Sequence, residues 1–189
     1  MIWPPDSPWA PWWQMPKEII RKMYRLVKLS KKDTVYELGC GVADAMVIAY
    51  REFGAKAIGI EIDPLRFVLA KINVWKATHL LSLRGILSEA EGDAAIFLKR
   101  DRHASLAMTN TITIIKDNFF NINLSDATVL IIYLVPSALK RLAPKFLKEL
   151  QKGTRLISYK YKFPLEAYKK KLQLVKADET NEIYFYKII

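Results

Sequence analysis

The sequence predicts one α/β domain over residues 1–189, with a seven-stranded, mostly parallel sheet, helices on both faces and a carboxyl-terminal antiparallel hairpin. Three observations lead to this prediction. Apolar β-branched runs alternate with helical patterns along most of the chain. The near-continuous apolar run at 128–134 is typical of a central strand that is buried on both faces. Two strand-like runs, 171–177 and 182–188, are joined by a short polar segment and predict the hairpin.

The chain begins with a lead-in, residues 1–16, that is rich in tryptophan and proline. Because prolines exclude regular secondary structure, we expect an extended strap that lies over the domain. The alternative is a peptide that docks to a membrane interface or a partner, since tryptophan favours half-wet boundaries. Pro16 then fits the first turn of a helix that should end near Ser30.

The segment 35–44 is the predicted functional centre. A buried strand is followed by Gly39 and Gly41, where the backbone can approach a ligand, and by the N-terminus of an apolar helix. The dinucleotide pattern Gly-x-Gly-x-x-Gly fails, because Asp44 occupies its third glycine position. Glu37 would repel a pyrophosphate but would attract a cofactor with an ammonium and a sulfonium, which indicates S-adenosylmethionine.

A second acidic residue, Glu61, ends the next apolar strand at 56–60. It follows the glycines by about 20 residues, where a carboxylate can accept hydrogen bonds from both ribose hydroxyls. Asp63 is predicted to cap the helix that Pro64 opens. No strand is evident in the following segment, so residues 80–110 are predicted to be an insertion.

Two further strand ends carry candidate site residues. Asp117 follows a strand predicted at 111–116, where its side chain either accepts the adenine amino hydrogens or begins a turn; both alternatives stay open. Tyr133 lies at the end of the predicted central strand, where ligands gather in open α/β sheets. Ser137 is predicted to cap the next helix, and a strand at 154–159 follows.

The composition limits the partners and the compartment. The net charge is +11, which suits nucleic acid, an anionic membrane or an acidic protein, although a solvated lysine-rich surface is equally compatible. The only cysteine, Cys40, excludes an internal disulfide and fits a reducing, cytoplasmic location. His79 and His103 lie in no metal-like spacing, so no metal site is expected. The sequence contains no run of about 18 apolar residues, so no transmembrane helix is predicted. The predicted insertion contains a basic cluster that can grip a phosphate backbone or an acidic substrate, or is merely solvated: Lys99, Arg100, Arg102 and His103.

From about Pro11 onward, the chain resembles one branch of the class I methyltransferases. This branch holds the archaeal broad-specificity protein lysine methyltransferases and the mitochondrial lysine methyltransferase that acts on the ATP synthase c subunit. The matching segments are residues 36–41, 59–64, 117–120, 124–128, 133–136, 142–145, 150–158 and 163–164. The first two segments are common to many methyltransferases, and the later ones point to this branch.

The resemblance implies a Rossmann-like fold, S-adenosylmethionine as cofactor and a protein substrate that presents a lysine. It implies that Tyr133 lines the methyl-transfer channel. The predicted cofactor-binding residues are Glu37, Gly39, Cys40, Gly41, Glu61, Ile62, Asp117 and Asn118. One alternative is an RNA or DNA methyltransferase on the same fold, which the basic charge favours. Residues 133–136, however, lack the Asn/Asp-Pro-Pro-Tyr/Phe pattern used for the amino groups of bases. A non-catalytic binding module is the other alternative. The oligomeric state is not predicted.

Overall fold

The computed structural model of the chain describes residues 13–89, 111–164 and 168–189. The bulk of the predicted strap (1–12) and the predicted basic cluster (99–103) lie outside these ranges. Within them the predicted fold is confirmed, because seven strands form one mostly parallel sheet with helices on both faces.

The elements follow in the predicted alternation. The strands are β1 (Thr34–Leu38), β2 (Lys56–Glu61), β3 (Ile112–Lys116), β4 (Val129–Ile132), β5 (Arg155–Tyr159), β6 (Leu172–Asp178) and β7 (Ile183–Ile188). The helices of the described ranges are α1 (Lys17–Leu26), α2 (Asp44–Phe53), α3 (Pro64–Glu89), α4 (Pro136–Glu149) and a 3-10 turn at Glu179–Asn181.

The strand order is β3-β2-β1-β4-β5-β7-β6. The five strands from β3 to β5 are parallel, and β7 runs antiparallel to both β5 and β6. The order reverses at β1, which pairs with β2 on one side and β4 on the other. Ligands of open α/β sheets bind outside the carboxyl ends of the strands at such a reversal. The turn after β1 therefore lies where a cofactor is expected.

Two apolar cores, one on each face of the sheet, make a three-layer domain. The first core packs Met23 of α1 and Ala49 of α2 against the strands, and it includes the lead-in residue Met15. The second core packs α4, through Leu142 and Phe146, against the opposite face. Near Met15 the lead-in passes under Lys160, whose ammonium lies 5.6 Å from the ring centre of Trp13.

A polar network joins the strands at the amino edge of the sheet, opposite to the ligand edge. The buried carboxylate of Asp33 accepts hydrogen bonds from the Thr128 hydroxyl (2.8 Å) and from the Ser30 amide (2.8 Å), and it forms an ion pair with Arg155. Arg155 also donates to the carbonyl of Val27 at 2.6 Å. These bonds tie the starts of β1, β4 and β5 to the end of α1.

Two predicted helix boundaries are wrong. Ser137 does not cap α4, because the helix begins at Pro136, whose fixed φ suits the first helical position, and Val135 is its N-cap. The first helix ends at Leu26 and not near Ser30, since Lys28 adopts a left-handed φ of 53°. The first residues of the predicted insertion, 80–89, continue α3, and residues 90–110 lie outside the described ranges, so the insertion stays a prediction.

Candidate active site

The turn after β1 is held open by backbone hydrogen bonds. The amides of Gly39 and Cys40 both donate to the carbonyl of Ile60, each at 2.9 Å, so the turn is fixed to the end of β2. Gly41 has a left-handed φ of 55°, and a Cβ added there would meet no atom within 4 Å. The turn is thus rigid on its sheet side and open on the side where a ligand can approach.

Glu61 bridges the ends of two strands with both of its carboxylate oxygens. Oε2 accepts from the amide of Gly41 and Oε1 accepts from the amide of Asp63, each at 2.9 Å. The side chain is only 3% exposed. Since each carboxylate oxygen has two lone pairs, one on each remains to accept from a ligand hydroxyl.

Glu37 is the opposite case, a buried carboxylate that lacks a partner. It is 6% exposed, and its Oε2 atom has no hydrogen-bond partner within the described part of the chain. Burial raises the pKa of this carboxyl well above its ordinary value, and the nearby Asp44 and Glu61 raise it further. An ionised carboxylate in this place needs a cation. The ammonium of an amino-acid-bearing cofactor meets that need.

Asp44, at the start of α2, stands where dinucleotide-binding turns have glycine. Its Oδ1 atom lies 3.4 Å from the ammonium of Lys17 and accepts from the amide nitrogen of Asn73 at 3.3 Å. Asn73 also donates to the carbonyl of Val42 at 2.9 Å. Asn73 therefore ties the turn to α3, a role that its polar character within an apolar helical pattern could have indicated.

Gly59 of β2 is a second residue that the sequence analysis did not assign to the site. A Cβ on Gly59 would lie 2.7 Å from Cys40 Sγ and 3.1 Å from Ile114 Cδ1. The Cys40 side chain fills that space and is buried. Burial raises the pKa of its thiol well above the ordinary value, so Cys40 packs as a neutral group. A glycine inside an apolar strand is the signal for such a close approach.

The end of β3 forms a compact turn. Oδ1 of Asp117 accepts from the amide of Asn118 (2.5 Å) and from the side-chain amide of Asn121 (3.0 Å). The structure therefore shows Asp117 at the start of a turn. The contact between Asp117 and adenine stays a prediction. Ile62, at the neighbouring end of β2, is 55% exposed.

Tyr133 directly follows β4 and packs against Tyr159, with ring centroids 4.9 Å apart at an angle of 60°. In the sheet register Glu37 lies beside Ile131, so Tyr133 extends the same face two residues further toward the ligand edge. Burial, with a smaller effect of Tyr159, raises the pKa of Tyr133 to about 12. Tyr133 is therefore protonated at physiological pH and can donate a hydrogen bond.

Tyr24 of α1 closes the site from behind. Its side chain is fully buried, and its hydroxyl donates to the carbonyl of Ala45 at 3.0 Å. Burial raises its pKa well above the ordinary value, and Glu37 raises it further. The hydroxyl bond is directed to the backbone of α2, which leaves Glu37 free to meet a ligand.

The described ranges hold neither a cluster of metal-ligating side chains nor a membrane-spanning helix. They contain no group of three or more His, Cys, Asp or Glu side chains that could hold a metal ion. None of the helices in those ranges is long and apolar enough to cross a membrane.

Comparison with known proteins gives matches of three kinds. The model of the ANTKMT methyltransferase domain matches residues 87–170. A protein-lysine N-methyltransferase of Saccharolobus islandicus is 28% identical over 189 residues, which are 100% of this chain and 98% of that protein. An RNA methyltransferase of Salinibacter ruber, solved with S-adenosyl-L-homocysteine, superposes with a TM-score of 0.70 at 24% identity over 93% of this chain and 94% of its own. The m1A22 tRNA methyltransferase TrmK of B. subtilis superposes with a TM-score of 0.57 at 17% identity, over 88% of this chain and 64% of its own.

The structural neighbours superpose on most of this chain, which establishes the fold. The family model and the full-length relative are both methyltransferases, and the orphaned Glu37 fits their cationic methyl donor. By these matches the chain is similar to the S-adenosylmethionine-dependent methyltransferases, and it has their class I, Rossmann-like fold.

Proposed function

We propose that this enzyme transfers methyl groups to lysine side chains of proteins. The observation that carries the proposal is the similarity to a protein-lysine N-methyltransferase over the whole of both chains, which includes the segments on the substrate side of the sheet. The aromatic pair of Tyr133 and Tyr159 at that edge supports it, because aromatic walls suit the alkyl stem and the cationic head of lysine.

The chain offers a different group to each part of the cofactor. The unpartnered carboxylate of Glu37 would hold the ammonium. The carboxylate of Glu61, fixed by two backbone amides, would accept from the ribose hydroxyls. We propose that Asp117 accepts from the adenine amino group. The backbone and apolar contacts would come from the turn after β1 and from the ends of β2 and β3, through Gly39, Cys40, Gly41, Ile62 and Asn118.

When bound, the cofactor supplies an electrophilic methyl group whose leaving group is a neutral thioether, so the protein need not provide an acid. The protein's tasks are alignment and delivery of a neutral amine. A lysine ammonium beside the packed pair of Tyr133 and Tyr159 would be partly desolvated, which lowers its pKa and favours loss of its proton to water. Because Tyr133 is itself protonated, it orients the amine and does not act as the base.

The alternative substrate is RNA, for which the net charge of +11 is the supporting observation. We favour protein, because the full-length relative acts on protein lysine and the relative named for RNA supports the fold alone. We also propose a cytoplasmic location, since the single cysteine suits a reducing compartment.

The test is incorporation of label from isotopically labelled S-adenosylmethionine into two separate pools, protein depleted of nucleic acid and RNA depleted of protein. We expect label in protein, on lysine, as located by mass spectrometry of the digested pool. Label in RNA with none in protein would overturn the proposal.

Two variants make the assay specific. The E61A variant removes the acceptor for the Gly41 and Asp63 amides and should reduce labelling by about 30-fold or more through lost cofactor affinity. The matched control is E18A, an acid-to-alanine change at an exposed position of α1, which should label as the unmodified enzyme does. Equal labelling by E61A and E18A would contradict the proposed ribose contact.

A further inference from the structure

The outward face of α3 is apolar. Five large apolar side chains on this helix are between 39% and 57% exposed, namely Leu65, Val68, Leu69, Ile72 and Trp75. Their spacing places them on one stripe of the helix, and the imidazole of His79 continues it by stacking on Trp75 with ring centroids 5.2 Å apart. We call these six residues the α3 stripe.

The α3 stripe is not the face that holds the helix to the domain. The buried residues Ala70 and Ala77 lie on the opposite side of α3, and Phe67 and Val74 pack there against the first core. The packed side is therefore complete without the stripe. Single exposed apolar residues are ordinary on protein surfaces, but a contiguous row of five is typical of an interaction site.

The charges around the α3 stripe select the partner. Within residues 64–79, the part of α3 whose side chains the structure describes, the sequence has three cationic side chains, Arg66, Lys71 and Lys76, and no aspartate or glutamate. Lys71 and Lys76 are both exposed; in helical projection Lys71 flanks the stripe on one side, and Lys76 lies near its other edge, beside Leu69. An apolar row with a cationic border matches the boundary between acyl chains and anionic headgroups. Trp75 suits the same boundary, because its indole combines an apolar body with a polar N–H group.

A second copy of the chain is a poorer fit to this surface. Two α3 stripes packed face to face would bring the lysines of both copies together, and like charges at close range repel. Nor is the helix a spanning element, since none in the described ranges is apolar and long enough. We propose that the α3 stripe lies in the interfacial plane of an anionic lipid bilayer and attaches the enzyme peripherally.

The experiment is co-sedimentation of the full chain with vesicles of phosphatidylcholine alone or mixed with phosphatidylglycerol. We expect binding to the mixed vesicles that added salt weakens. The I72D variant, which places a charge in the centre of the stripe, should lower the partition coefficient by about tenfold or more. The double change K71E/K76E should lower it by roughly fivefold or more for each reversed charge.

The matched control is V175D. Val175 is also an exposed aliphatic residue, at 49% against 44% for Ile72, but it lies on β6 at the opposite edge of the sheet. V175D should bind the mixed vesicles as the unmodified chain does. Both aspartate variants should retain the circular dichroism and the methyl-transfer rate of the unmodified chain, because neither residue belongs to the proposed cofactor site.

Three results would each overturn the proposal. The first is failure of the unmodified chain to sediment with the phosphatidylglycerol vesicles. The second is equal binding by I72D and V175D, which would assign the membrane contact to another segment. The third is a dimer by light scattering that I72D converts to a monomer, which would assign the α3 stripe to a second copy.

Discussion

The E37Q substitution separates cofactor binding from stability. Glutamine keeps the size of Glu37 but removes its charge. Because the carboxylate is buried beside Asp44 and Glu61 and its Oε2 has no hydrogen-bond partner among the described residues, this charge destabilises the ligand-free fold. We therefore expect E37Q to raise the free energy of unfolding of the ligand-free enzyme and to lower its affinity for S-adenosylmethionine.

The two effects have different sizes. Removing the uncompensated buried charge should stabilise the ligand-free chain by about 1 kcal/mol or more near neutral pH, because each unit of pKa shift corresponds to about 1.4 kcal/mol. Removing the anionic partner of a buried ammonium should lower the cofactor affinity by about 2–5 kcal/mol, which is about 30-fold at the lower end. The opposite signs distinguish this prediction from general damage to the fold.

The pH dependence follows from the raised pKa of Glu37. The folded chain holds this proton more tightly than the unfolded chain, so the stability contributed by Glu37 falls as the pH rises from the unfolded pKa of about 4.3 toward the folded value. Below the unfolded pKa both states are protonated and E37Q should have little effect. Cofactor affinity should rise with pH over the same window, because the ionised carboxylate is the binding form.

Calorimetric titration with S-adenosylmethionine and urea unfolding, each at several pH values, measure the two effects. Proton release on binding should be visible as a dependence of the binding enthalpy on the buffer, and it should be smaller in E37Q. The control is E18Q, which neutralises an exposed acidic side chain on α1. Unchanged cofactor affinity in E37Q would refute the assignment of Glu37 to the ammonium.

Three further substitutions test other parts of the structure. G59A should destabilise the fold by about 1–3 kcal/mol and weaken cofactor binding, because its Cβ would meet Cys40 Sγ at 2.7 Å. Thermal melts with and without cofactor measure both effects, and we expect partial rescue in the C40G/G59A double variant. Y133F should lower kcat by about tenfold with an unchanged cofactor Kd, as measured by steady-state kinetics and calorimetry; an equal loss in both would point to a cofactor contact. R155M leaves the buried Asp33 carboxylate without its cation and should lower the free energy of unfolding, measured in urea, by about 3 kcal/mol. A free energy of unfolding within about 0.5 kcal/mol of that of the unmodified chain would contradict this prediction.

Local patterns predicted the parts of the fold that local chemistry decides. Asp63 caps α3 through a bond from the Arg66 amide to its Oδ1 at 2.8 Å. The prediction of Ser137 as the N-cap of α4 was wrong because the helix already begins at Pro136, whose fixed φ suits the first helical position.

Contacts between distant segments were not predictable in the same way. The fit of Cys40 over Gly59 depends on the register between β1 and β2, which periodicity does not specify. The partner of Tyr133 is Tyr159, 26 residues later, and it becomes its neighbour only because β5 adds beside β4. The apolar stripe of α3 was hidden for a related reason. An apolar helix pattern shows which residues are apolar, but the packing of the sheet decides which of them remain exposed.

Glu37 and Glu61 show how two buried acids of the same type acquire different chemistry. Both are less than 10% exposed and both lie at the ligand edge of adjacent strands. Two backbone amides hold the Glu61 carboxylate in place, so it is positioned to accept from neutral hydroxyls. Glu37 has an unpartnered oxygen and two acidic neighbours, so only a cation relieves its burial. A neutral analogue of the cofactor that retains the ribose should therefore lose affinity for the unmodified enzyme, and E37Q should largely abolish that discrimination while E61A should not.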